Sequence, residues 1–137
     1  MKYKYDVAIS YASEQRQYVL ELCQELQKLD LKIFADFIEP ERLWGSYLPE
    51  ELRKIYYNES KIIIIFLSKE YVKKSYTLFE SRIAMEKSLE NISFLIIKYD
   101  YVELPWLNKT IGYVNWNEYS VSKLAEMIQR KIVKKKI

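Results

Sequence analysis

Short apolar runs alternate with amphipathic stretches along the whole chain. Tyr5 to Tyr11 (YDVAISY), with β-branched Val7 and Ile9, predicts a first strand. Ser13 is placed to cap a helix whose apolar positions Val19, Leu22, Cys23, Leu26 and Leu29 keep helical spacing. Leu31 to Asp36 (LKIFAD) predicts a second strand, followed by the irregular stretch FIEPERLWGS and a short helix from about Tyr47 to Tyr57. Lys61 to Ser68 (KIIIIFLS) is the most apolar run and predicts a central strand buried on both faces. The spacing of Val72, Tyr76, Phe79 and Ile83 extends a helix from Ser68 to about Leu89. Ile92 to Tyr99 predicts a fourth strand, and Tyr113 to Trp116 a short fifth after an irregular 101–112. Val121, Leu124, Ala125, Ile128 and Ile132 outline a last helix that runs into the basic tail 131–137.

Strands alternating with helices imply a mainly parallel sheet covered on both faces. Right-handed crossovers make it an α/β, doubly wound domain of about five strands. No repeat or linker divides the chain, so residues 1–137 read as one domain. In such sheets ligands bind beyond the carboxyl ends of the strands. The connections there are Tyr11–Ser13, Phe37–Ser46, Ser68–Ser75, Tyr101–Gly112 and Asn117–Tyr119.

Composition narrows the chemistry. The chain is 50% hydrophobic, and its net charge of +3 does not by itself imply nucleic acid or membrane partners. Absence of histidine removes imidazole catalysis, and one cysteine, Cys23, leaves neither an internal disulfide nor a zinc ligand set. Gly45 and Gly112 are the only glycines, too few for a P-loop or a G-x-G-x-x-G turn. No metal site or bound cofactor is therefore expected. The start MKYKYDVAIS lacks a signal-peptide core, and the longest apolar run falls far short of the roughly 20 residues that span a bilayer. A single cysteine also fits a reducing, cytoplasmic compartment.

Several residues in the predicted crevice can carry chemistry. Tyr76, Glu80, Ile83 and Ala84 share a helix face, on which Glu80 is the one carboxylate. Partial burial there would tune the group for function, although spacing alone favours a surface carboxylate paired with Arg82, Lys87 or Arg16. Asp36 ends the second strand, where it bonds ribose hydroxyls or, more commonly, caps the turn. Trp44 stacks on a base, anchors a partner or pins its own loop. Tyr11 and Tyr76 face the same choice among 13 tyrosines. The basic tail reads as a solvated helix end or as the place where a longer protein was cut.

Three segments in order resemble the Toll/interleukin-receptor (TIR) family. The opening KYDVAISYAS is similar to its first box. LKIFADFIEPERLWGSYLPEELRKIYYNES resembles its second strand and BB loop (37–46). KIIIIFLSKEYVKKSYTLFESRIAM is similar to its third strand and the Ser-x-x-Tyr-x-x-Ser-Trp-x-x-x-Glu pattern that follows. The resemblance implies a flavodoxin-like fold and one of two trades. Many bacterial and plant members cleave NAD+ at the nicotinamide–ribose bond, whereas animal receptor members act as assembly modules. In cleaving members the essential glutamate falls on Glu80, with Tyr76 where tryptophan is usual. The remaining cleft positions fall on Ser10, Tyr11, Ala12, Asp36 and Trp44.

The resemblance thus implies an NAD+ glycohydrolase giving ADP-ribose or a cyclic form. NAD+ is the substrate, and self-association proceeds through the BB loop. A fused or separate sensor module and a role in bacterial defence belong to the same expectation. The alternative is a non-catalytic TIR–TIR interaction module. A receiver domain fits less well: it requires an Asp ending the third strand, and the residue there is Ser68.

Overall fold

The computed structural model describes residues 3–74, 94–103 and 112–136. Its centre is the isoleucine run, which forms the eight-residue strand β3 (Ser60–Leu67). Side chains alternate across a strand, so one run of apolar residues serves both faces of the sheet. Ile62, Ile64 and Phe66 pack toward one layer, whereas Ile63, Ile65 and Leu67 pack toward the other.

β3 pairs in parallel with β1 (Tyr5–Ser10) on one side and β4 (Phe94–Lys98) on the other. β2 (Ile33–Phe34) and β5 (Tyr113–Asn115) form the two edges, giving the order β2-β1-β3-β4-β5 with every pairing parallel. The direction of winding reverses between β1 and β3, and in such sheets the ligand crevice lies beyond the carboxyl ends of the strands. This is the doubly wound α/β arrangement of about five strands expected from the hydrophobic pattern, and the flavodoxin-like fold that the resemblance implies.

Helices α1 (Arg16–Lys28) and α5 (Val121–Lys136) cover the first layer through Val19, Leu22, Cys23 and Leu26, and Leu124, Ala125, Ile128 and Ile132. The opposite layer is built from α3 (Leu48–Arg53), the π-helical turn Lys54–Glu59 and α4 (Lys69–Lys73), which contribute Leu52, Ile55, Tyr56 and Tyr71. Between β2 and α3 lies α2, a single turn over Pro40–Leu43.

Four boundaries depart from the pattern, each for a local reason. β2 keeps two residues, Ile33 and Phe34, in register with Val7 and Ala8, while the Lys32 amide turns to the Asp6 carboxylate at 2.9 Å. Ser13 does not cap α1; a 3₁₀ turn, Ser13–Gln15, intervenes, and its own N-cap position is held by Ala12. The 47–57 helix continues as the π turn, closed where the Ser60 hydroxyl donates to the Ile55 carbonyl at 2.8 Å. The helix capped by Ser68 ends at Lys73. Lys74 is extended, its ammonium drawn back to Glu14 at 2.7 Å and Ser13 at 3.1 Å.

α1 stops in a Schellman arrangement. The Leu31 and Asp30 amides donate to the carbonyls of Leu26 and Gln27, respectively, with Asp30 at φ 59° in the left-handed position usually held by glycine.

Candidate functional site

β1 and β2 end side by side, so Tyr11 and Asp36 meet at the crevice. The Tyr11 hydroxyl donates to the Asp36 carboxylate, and the Tyr11 ring lies edge-on to Phe37 with centroids 6.0 Å apart. Burial, and then the neighbouring carboxylate, push the Tyr11 pKa well above its ordinary value. Tyr11 therefore stays protonated and is a fixed hydrogen-bond donor to Asp36. Both residues line a mainly apolar cavity of about 150 Å³ with Ile9, Phe34, Leu43 and Tyr56.

The residues on either side of Tyr11 point elsewhere. Ser10 is buried and its hydroxyl lies 2.9 Å from that of Tyr71, and Ala12 is fully buried. Their role is to let β1 and the start of α4 approach closely. Gln15 reinforces that junction with both ends of its amide. It accepts from the Ser68 hydroxyl at 2.7 Å and donates to Glu70 at 2.8 Å. Ser68 meanwhile accepts from the Tyr71 amide at 3.0 Å, capping α4.

In the connection between β2 and α3, Arg42 gathers four hydrogen bonds from three elements. The Arg42 guanidinium donates to Glu51 at 2.7 Å, to both oxygens of Glu59 at 2.6 and 3.0 Å, and to the Tyr5 hydroxyl at 3.0 Å. Hydrogen bonding to Arg42 lowers the Glu59 pKa from its ordinary value and is the largest influence raising that of Arg42. Two residues later Trp44 is 88% exposed, beside Gly45 at φ 79° and close in sequence to exposed Tyr47 and Leu48. Trp44 does not line the Tyr11–Asp36 cavity.

Of the residues singled out in the sequence, Tyr11 and Asp36 are in direct contact, Ser10 and Ala12 are buried on the side of Tyr71, and Trp44 stands away on the surface. Tyr76 and Glu80 fall outside the described residues. Sequence reasoning missed Gln15, Tyr71 and Arg42. Each is polar and held in place by partners 9 to 61 positions away, which no local spacing encodes. Among the described residues, no group of three or more His, Cys, Asp or Glu side chains is placed to hold a metal ion. No described helix is long and apolar enough to cross a membrane.

Comparison with known proteins matches this frame. The TIR domain family model matches residues 7–129. The chain is 36% identical over 135 residues to the 3′ cyclic ADP-D-ribose synthase AaTIR of Aquimarina amphilecti, an alignment covering 96% of this chain. It spans about 41% of that relative's length. Among solved structures, the TIR domain of the Toll-related receptor TRR-2 from Hydra magnipapillata superposes with a TM-score of 0.73 at 21% identity. That match covers 95% of this chain and 96% of the other, and shows the shared fold.

Proposed function

The chain belongs to the TIR domain family, and we propose on that footing that it is an NAD+ glycohydrolase cleaving the nicotinamide–ribose bond. The observation that carries the proposal is its 36% identity, over nearly its whole length, to a cyclic ADP-ribose synthase. The products are nicotinamide and either ADP-ribose or a cyclic ADP-ribose, according to whether water or a group within the substrate itself attacks the ribose.

The chemistry needs little machinery. Nicotinamide departs with the bonding electrons, and positive charge develops on the ribose, as in other glycosyl transfers. A fixed carboxylate opposes that charge and holds the ribose hydroxyls, and Glu80 is assigned this role. Asp36, oriented by the Tyr11 hydroxyl, offers a second carboxylate for ribose. Tyr76 and Trp44 supply flat surfaces for the rings, and Ser10 and Ala12, the family's remaining cleft positions, flank Tyr11 in the chain. No metal or imidazole takes part in this scheme.

In this reading the domain acts as a cytoplasmic effector of bacterial defence signalling. It is switched on by self-association through residues 37–46 under the control of a fused or separate sensor module. A second reading, a non-catalytic TIR–TIR module, is favoured by the exposed apolar residues Trp44, Tyr47 and Leu48.

The deciding experiment incubates the purified domain at high concentration with NAD+ and follows nicotinamide by chromatography, beside Glu80→Ala. Release by the wild type alone supports the enzyme and identifies its carboxylate, and the co-product distinguishes hydrolysis from cyclisation. No release, even when the domain is forced to associate, moves the reading to the interaction module. Equal release by both proteins rejects the role given to Glu80.

A further inference from the structure

We propose that Arg42 is a positioning residue, a latch that holds the β2–α3 connection in a preformed pose and so fixes where Trp44 is presented. The inference builds on the reading of Trp44 as part of the NAD+ site, and its structural half can be tested without that reading.

A thirteen-residue connection, 35–47, carrying one proline and one glycine ordinarily retains considerable freedom. Here its start is held by Asp36 on Tyr11 and by Glu39 on Tyr5, and its middle is tied down by Arg42. Arg42 is 11% exposed, and its guanidinium reaches three elements at once: Glu51 on α3, Glu59 at the end of the π turn and Tyr5 at the start of β1. The contact with Glu59 is bidentate, which fixes direction as well as distance. Lysine cannot reproduce it, because its ammonium is a point charge without a planar fork.

The latch is continuous with the backbone it controls. The Arg42 carbonyl accepts the Ser46 hydroxyl at 2.7 Å, the Trp44 amide donates to Pro40 at 3.1 Å and the Ser46 amide to Leu43 at 3.1 Å. Trp44 and Gly45 therefore project from a turn tied at both ends. An 88% exposed tryptophan gains nothing from burial within its own domain. The polar anchor beneath it makes sense if the ring must be in place before its ligand arrives, since preorganisation lowers the entropic cost of binding.

Arg42→Lys tests this, alongside the triple change Arg42→Met, Glu51→Gln, Glu59→Gln, which removes the fork without leaving buried acids unpaired. Amide hydrogen exchange at residues 43–47 is read together with thermal unfolding and the kinetics of NAD+ cleavage. Exchange of the Trp44 and Ser46 amides is expected to accelerate about tenfold or more in both variants, with α1 and β3 protection retained. KM for NAD+ is expected to rise about tenfold, while kcat falls by no more than about threefold. Unchanged exchange at 43–47, or acceleration spread equally over α1 and β3, overturns the latch. So does faster local exchange with KM unmoved in an active enzyme. If the wild type releases no nicotinamide, the activity reading falls by itself, and local exchange still decides whether Arg42 holds the arm.

Discussion

The hydroxyl of Tyr11 donates to the carboxylate of Asp36, joining the end of the first strand to the end of the second at the crevice. The pairing is a consequence of strand order. β2 and β1 are parallel neighbours in register Val7↔Ile33 and Ala8↔Phe34, and Tyr11 and Asp36 lie three and two residues beyond the second of these pairs. A tyrosine in this position remains protonated, because burial and the adjacent negative charge both oppose its ionisation.

Tyr11→Phe is therefore expected to keep the ring packing against Phe37 and lose the charge-assisted hydrogen bond, costing about 1.5–3 kcal/mol. Chemical denaturation with an unchanged slope checks the magnitude. Because the wild-type tyrosine does not ionise in the working range, the alkaline limb of the activity profile should be the same in both proteins. A limb that disappears in the variant would show that Tyr11 titrates during catalysis.

Much of this arrangement was legible before the structure. The isoleucine run marked the central strand to within one residue, and alternating elements gave the parallel, doubly wound sheet. Asp36 and Tyr11 stand out in the sequence because strand ends are where ligands bind in such sheets. What was not legible depends on contacts distant in sequence. Nothing near Gln15 announces that it would join Ser68 to Glu70, and nothing near Arg42 announces Glu59. The π turn and the early end of α4 were hidden for the same reason. Helical spacing continues through both, but Ser60 and Lys74 redirect the backbone through side-chain partners.

Glu59 gives the fold a defined acid sensitivity. Hydrogen bonding to Arg42 places its folded pKa below the ordinary value of 4.5. Its contribution to stability is therefore complete above the unfolded carboxyl range and is lost as pH falls through the folded value. Glu59→Gln should lower stability at neutral pH and flatten the decline below about pH 4.5, measured as unfolding midpoint against pH. A variant whose acid limb parallels the wild type would place that sensitivity in other carboxylates.

Asp30 occupies the left-handed position at the end of α1, with φ 59°. Aspartate tolerates this conformation at a cost that glycine avoids, and the Schellman hydrogen bonds from residues 30 and 31 are made by backbone atoms alone. Asp30→Gly is expected to raise stability by about 0.5–1 kcal/mol without altering NAD+ cleavage. A loss of stability would mean that the aspartate side chain contributes more than its backbone strain costs.

Cys23 is 1% exposed, and its thiol pKa is pushed up to about 12, first by burial and second by the Asp36 carboxylate. Only the thiolate reacts readily, so the native protein should resist thiol-directed reagents at mildly alkaline pH. Modification is expected to be slower than in denaturant by on the order of a thousandfold or more, because it awaits opening of the fold. Rapid labelling of the native protein would show that the layer between α1 and the sheet opens far more easily than its packing implies.

Trp44 distinguishes the two functional readings. At 88% exposure it contributes little to folding, and Trp44→Ala should change stability by no more than about 0.5 kcal/mol. If the indole stacks on NAD+ within the same molecule, KM rises in the variant at every protein concentration while self-association is unchanged. If the indole joins one copy to the next, sedimentation shows weaker association, and the lost activity returns when the domains are brought together artificially. A variant unaltered in KM and in association would remove Trp44 from both readings. The Tyr11–Asp36 pair and Glu80 would then be the residues on which the catalytic proposal rests.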